Sequence, residues 1–124
     1  MFDGGYSDPL PLDKALEMGG RHILVVRTRP MGDHASQSYV DSFGMYWHRH
    51  NKVLAPLFLE GYERYNDTVD RLLRGGDNHG RTWEEIAPPY PLQTDAWTVG
   101  AKEVAQDYRL GVDTAMNWWA HRHL

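Results

Sequence analysis

The chain has no cysteine in its 124 residues. That excludes disulfides and thiolate metal sites and leaves the redox compartment undetermined. It also has no block of lysine or arginine, and its formal net charge of −4 with a pI near 5.9 argues against nucleic acid as a partner. No apolar run approaches the roughly 20 residues of a membrane-crossing helix. The first residues do not show the basic, apolar, small-residue order of a secretory leader, so the cytoplasm is the expected compartment. Hydrophobic residues are 41 % of the total and the mean hydropathy is −0.63, a modest supply of core for one domain or part of one. Aromatics are plentiful by contrast, with five Trp and seven Tyr available for a core, an interface or a lipid-facing surface.

Local patterns predict a short series of elements. Phe2 to Gly5 reads as a strand end entering a tight turn, since paired glycines allow close backbone approach. A helix is expected from Pro11 to Met18, with proline in its first turn and Gly19-Gly20 as its stop. His22 to Thr28 is the clearest strand. Its consecutive Ile23, Leu24, Val25 and Val26 predict burial on both faces within a parallel sheet. Helices are expected over Val40 to Arg49 and Pro56 to Arg74. The second carries Leu57, Phe58, Tyr62, Tyr65, Val69, Leu72 and Leu73 along one face and ends at Gly75-Gly76. A short extended piece spans Trp83 to Ile86, and a proline-rich loop follows at Pro88 to Pro91. The last helix should run from Val99 to His121, with Ala101, Val104, Ala105, Tyr108, Val112, Ala115 and Trp119 on its buried stripe.

That inventory is short of sheet. A strand covered on both faces needs ladder partners and layers above and below it. One strong strand, a stub at residues 2–5 and a weak candidate near residue 85 do not supply them. The residues therefore predict the C-terminal portion of a larger α/β domain, with an incomplete sheet.

Asp3 is the first chemical candidate. A carboxylate at a strand end, followed by Gly4 and Gly5, is a way to present a base at the mouth of an α/β sheet. The tripeptide alone is also an ordinary turn. The longer pattern goes further: Asp3-Gly4-Gly5, Asp8-Pro9, Pro11, the helix with Ala15, the Gly19-Gly20 stop and the strand exit Val25-Val26-Arg27-Thr28-Arg29-Pro30. In order and spacing it resembles bacterial patatin-like phospholipases. Tyr65-Asn66 in the long amphipathic helix, and the Tyr108, Gly111, Ala115 spacing in the last helix, resemble that family's C-terminal region.

The resemblance implies the end of a three-layer α/β/α catalytic domain over residues 1–30 and a mainly helical region over 31–124. It implies a lipid acyl hydrolase of the serine–aspartate dyad type, active in lipid degradation on glycerophospholipid or acylglycerol esters, with no cofactor and no metal. In such enzymes a serine on a G-x-S-x-G elbow attacks the ester, and the motif aspartate, here Asp3, is its base partner. The lipid ester would be met through the missing N-terminal half, with peripheral membrane contact as a further option. The serine elbow and oxyanion loop are not in these residues, so the chain alone is expected to hydrolyse no ester. Two alternatives accompany this reading: a non-catalytic fragment that binds lipid or protein, and one half of a split hydrolase.

Other candidates have plainer explanations. Ser7 lies in a turn, with Pro9 where the elbow's last glycine belongs, and Ser36, Ser38 and Ser42 have no elbow. The Gly75 to Arg81 segment resembles a phosphate loop but follows a helix end, which favours a C-cap and surface loop. His48 with His50, and His121 with His123, are spaced for a strand yet sit in predicted helices, where two residues span about 200°. Exposed histidines near helix C-termini are the expectation there. Trp119 falls on the core stripe and Trp118 off it, leaving Trp83, Trp97 and Trp118 as material for a lipid-contacting patch, with packing preferred. Asp8 and Asp13 are expected in turn and helix-start roles, and Arg27 and Arg29 on a solvated strand end, with contact to lipid phosphate as the alternative.

Overall fold

The computed structural model describes residues 8–36, 46–95, 97 and 99–124, apart from the side chains at 58 and 59. Among these residues the chain is mixed α/β, in the order α1 (Leu12–Glu17), β1 (His22–Val26), α2 (Leu54–Leu73), β2 (Thr82–Ile86) and α3 (Ala101–His123). No helix among them is long and apolar enough to cross a membrane.

β1 and β2 pair in parallel, with His22 opposite Thr82 and Val26 opposite Ile86. Thr82 N–H donates to the Arg21 carbonyl at one end of the pair, and Arg27 N–H donates to the Ile86 carbonyl at the other. The weak extended segment near residue 85 is thus the partner of the strong strand, and the 55 residues from 27 to 81 make the parallel crossover. On the far side of β2, Trp83 N–H donates to the Gly75 carbonyl, which fastens the end of α2 to the sheet. Among the described residues β1 has no strand on its other side.

The core is small and lies on one face of this pair. Leu12 and Leu16 from α1, Leu72 from α2 and Trp83 from β2 are buried together, with Leu10, Ile23 and Val25 packed against them. Val69 is fully enclosed. The pattern Leu12, Leu16 is the i, i+4 spacing that sets two side chains on one side of a helix. α1 stops where Gly19 adopts φ +88°, a conformation that only glycine takes without strain. α2 begins at Leu54, ahead of the predicted Pro56, because the Asn51 side chain accepts hydrogen bonds from the Val53 and Leu54 N–H groups. Pro56 therefore falls inside the first turn, where its missing donor costs nothing. At the other end Gly75, at φ +69°, closes the helix by donating to the Leu72 carbonyl. Of the helix expected at Val40 to Arg49, residues 37–45 lie outside the described set; Tyr46 and Trp47 are helical and a turn follows.

Two expectations are overturned. β1 is not buried on both faces: Leu24 is 46 % and Val26 73 % exposed, while Ile23 and Val25 turn inward. α1 and α2 cover one face only. On the other, the described cover is the end of α3, where Arg122 reaches Glu84 at 2.7 Å. The predicted stripe of α3 is not buried either, since Tyr108 is 73 % and Trp119 55 % exposed and no α3 residue is fully enclosed. The helix instead turns Asp107, Leu110, Thr114 and Trp118 inward, so the two tryptophans exchange their predicted roles. Polar anchors set this rotation. Asp107 accepts hydrogen bonds from Gln93 N–H, Thr94 N–H and the Thr94 hydroxyl at 2.7–3.0 Å, and Arg122 holds Glu84 near the opposite end.

Candidate functional site

The carboxyl end of a parallel strand pair is the usual place for α/β ligand chemistry. Here it is built around Arg27, the residue after β1. Period-two alternation places Arg27 on the same face as Ile23 and Val25, and places Glu85 on the matching face of β2. The two side chains meet as an ion pair, each almost wholly enclosed. The second Nη of Arg27 donates to the Tyr65 hydroxyl of α2 at 2.6 Å and to the Asp33 carbonyl at 3.2 Å. Burial alone would lower the affinity of this guanidinium for its proton. The bonds and charges of Glu85 and Tyr65 outweigh it and hold the group above its ordinary value.

The loop after β1 is fastened to α2 by the residues next in line. Asn66 accepts from Ala35 N–H at 2.7 Å and donates to the Ala35 carbonyl at 2.9 Å. His34 and Asp70 meet at 2.8 Å on the surface. Arg29 lies 5.7 Å from the Tyr65 ring centre and pairs with Asp33 at 3.7 Å, half exposed. Tyr65-Asn66 thus has a definite job: its two side chains lock the strand exit and the following loop onto the long helix. The arrangement positions backbone; it does not present a free cation. Arg27, expected on a solvated strand end, is buried with both Nη groups bonded to protein acceptors.

The sequence-derived site residues fall as follows. Asp3, Gly4 and Gly5, and with them Ser7, Ser38 and Ser42, lie outside the described residues. Ser36 is exposed on the loop beyond Ala35. Asp8 is exposed where the described chain begins, and Pro9 and Leu10 then line an apolar groove of about 340 Å³ beside β1, with Leu12, Ile23 and Val25. Asp13 stands in the first turn of α1, as expected, and takes a two-pronged ion pair from Arg71 of α2 at 2.7 and 2.9 Å. The Gly75 to Arg81 segment is a helix stop and surface loop, in which Asp77 binds Arg81 at 2.5 Å and caps the His79 and Arg81 N–H groups. His121 and His123 bond back to the carbonyls of Asn117 and Trp119, four residues earlier. Among the described residues no three His, Asp or Glu side chains gather as a metal would require. Glu85 was not visible as a partner of Arg27, although strand alternation would have placed both inward once the two strands were aligned.

The carboxylates make the fold acid-sensitive. The Arg71 hydrogen bond holds the Asp13 carboxyl below its ordinary value, and the Gln93 and Thr94 donors do the same for Asp107. A depressed carboxylate contributes stability above its unfolded pKa, about 3.9, and loses it as pH falls through the folded value. The urea midpoint should therefore hold down to roughly pH 4 and decline below it. Asp13→Asn is expected to reduce that decline, measured as urea midpoints across the acid range. An equal decline in the variant would remove Asp13 from the account.

Compared with protein-family models, curated proteins and solved structures, the chain matches none.

Proposed function

We propose that this chain is the C-terminal portion of a patatin-like lipid acyl hydrolase and contributes the base of its serine–aspartate dyad. The observation that carries the reading is the ordered pattern from Asp3-Gly4-Gly5 through Asp8-Pro9, a proline-started helix, a glycine stop and an apolar strand ending at Arg27. The geometry of its described part supports it. α1 leads through Gly19 into β1, β1 belongs to a parallel pair, and no strand among the described residues occupies its outer side. A larger sheet, with the serine elbow on another strand, fits that free side.

In this reading Asp3 takes the proton from the nucleophilic serine as that oxygen attacks the ester carbonyl, and returns it to the leaving alcohol. Water then repeats the sequence on the acyl-enzyme. An ordinary aspartate is a weak base at neutral pH, so placement and partial desolvation have to supply the effect. Arg27, Tyr65 and Asn66 hold the end of β1 and the loop after it in place. The substrate class is the ester bond of glycerophospholipids or acylglycerols.

The test is reconstitution. The purified chain is expected to leave p-nitrophenyl butyrate unhydrolysed, and to yield turnover when joined to a patatin-like half that carries the G-x-S-x-G serine. Asp3→Asn in the joined protein should reduce turnover to background. Activity of the chain alone, or undiminished activity with Asp3→Asn, would refute the assignment.

A further inference from the structure

The amino end of the strand pair carries two arginines where the carboxyl end carries an ion pair. Thr82 N–H donates to the Arg21 carbonyl just before His22 comes opposite Thr82, so Arg21 and Arg81 stand side by side where β1 and β2 begin. Period-two alternation puts both on the face of Ile23, Val25 and Trp83. At the far end of that face Arg27 meets Glu85. Here like charges are neighbours instead, an arrangement that is unfavourable unless something offsets it.

Arg21 and Arg81 line an open cleft of about 530 Å³ together with His79. Gly19, Gly20 and Gly80 form other parts of its wall and bring no side chain into it. The carboxylates nearby are already engaged. Arg81 Nε donates to Asp77 at 2.5 Å, and both Nη groups of Arg71 donate to Asp13. Arg21 has no ion pair among the described residues, and the Nη groups of Arg81 have no acceptor there. Three arginines against two carboxylates leave the cleft cationic before His79 is counted.

We propose that this cleft binds the phosphate group of a phosphate monoester, held by Arg21, the Nη edge of Arg81 and His79. Guanidinium forks match phosphate oxygens two at a time. Two forks from neighbouring strands, whose backbones lie about 5 Å apart, can converge on one tetrahedral anion, because it presents oxygens on more than one side. A carboxylate presents a single two-oxygen edge and satisfies one fork. The cleft is larger than a phosphate ion, which leaves room beside Leu16 for the group that the phosphate esterifies. The backbone of the 75–81 loop is not the cradle. Asp77 already accepts from the His79 and Arg81 N–H groups, so recognition rests on side chains.

Glycerol 3-phosphate, titrated calorimetrically into the purified chain at constant ionic strength, is expected to bind one to one, and glycerol is expected not to bind. Arg21→Gln should weaken binding roughly tenfold, the worth of a charge-assisted hydrogen bond. Arg21→Lys should recover only part of it, since it keeps the charge and loses the fork. Arg21 is exposed and unpaired among the described residues, so the urea midpoint of both variants should match the parent. Phosphatidylcholine vesicles containing phosphatidic acid distinguish the two sources of such a phosphate. Co-sedimentation that Arg21→Gln abolishes would assign it to a lipid headgroup, and glycerol 3-phosphate binding without co-sedimentation to a soluble ester. Binding of neither, binding of either that Arg21→Gln leaves unchanged, or equal binding of glycerol would overturn the proposal.

Discussion

Arg27→Met is expected to remove about 3–5 kcal/mol of folding stability, seen as a large drop in the urea midpoint. The pair it breaks is almost fully enclosed: the Arg27 and Glu85 side chains retain 2 % and 4 % of their exposure. Removing one member leaves Glu85 charged, buried and without its counter-ion, and that uncompensated charge causes most of the loss. Tyr65 and the Asp33 carbonyl lose a charged donor as well, which loosens the loop that Asn66 holds. A small domain has only about 5–15 kcal/mol in total, so this loss is a large fraction of it. Arg27→Met with Glu85→Leu should recover much of the loss, because a buried ion pair exchanged for packed apolar groups is often close to neutral. A single variant as stable as the parent would mean that the pair is not enclosed in solution. A double variant no better than the single would mean that the ion pair itself, and not the stranded charge, carries the stability.

Trp83→Ala should cost a comparable amount, about 3–5 kcal/mol. Trp83 is the largest member of the core cluster and packs with Leu12, Leu16 and Leu72. Its indole Nε1–H also donates to the Arg71 carbonyl at 2.8 Å, near the end of α2. Truncation removes the ring, leaves a cavity between α1, α2 and β2, and takes one of two donors from the Arg71 carbonyl, which keeps the Arg74 N–H. Trp83→Phe separates these effects. It retains much of the volume and loses the donor, so its cost should be about 1 kcal/mol, the net worth of one hydrogen bond with slight underpacking. Urea titrations followed by far-ultraviolet circular dichroism measure both, since other tryptophans obscure the fluorescence of this one. Equal losses in the two variants would place the energy in the hydrogen bond and not in the packing.

How much of this was legible in the sequence depends on the range of the interaction involved. α1, β1, α2 and α3 were readable because apolar spacing, proline and glycine act within a few residues, and the glycine stops at Gly19 and Gly75 follow from the same local geometry. β2 was readable only as a weak extended piece. Its status as the parallel partner of β1 depends on residues 60 positions away. Burial was misread where it depends on what covers a surface. Ile23 to Val26 are apolar without interruption, yet layers lie over only one side of them, and Leu24 and Val26 are left open. On α3 the apolar stripe is real, but Asp107 and Arg122 tie a different side of the helix to the chain.

The candidate site divides along the same line. The motif from Asp3 to Pro30, on which the proposed acyl-hydrolase base rests, was wholly a matter of sequence order. So was the pairing of Tyr65 with Asn66 as neighbours worth attention. The sequence by itself determined which segments become helix and strand and where they stop, because those properties rest on local propensity and residue order. Only the tertiary structure decided that Arg27 is buried against Glu85 and Tyr65, and that the apolar stripe of α3 faces outward. A charge is buried or solvated, and a stripe covered or bare, according to what other segments bring to it. That depends on contacts between residues distant along the chain, which periodicity within one segment does not encode.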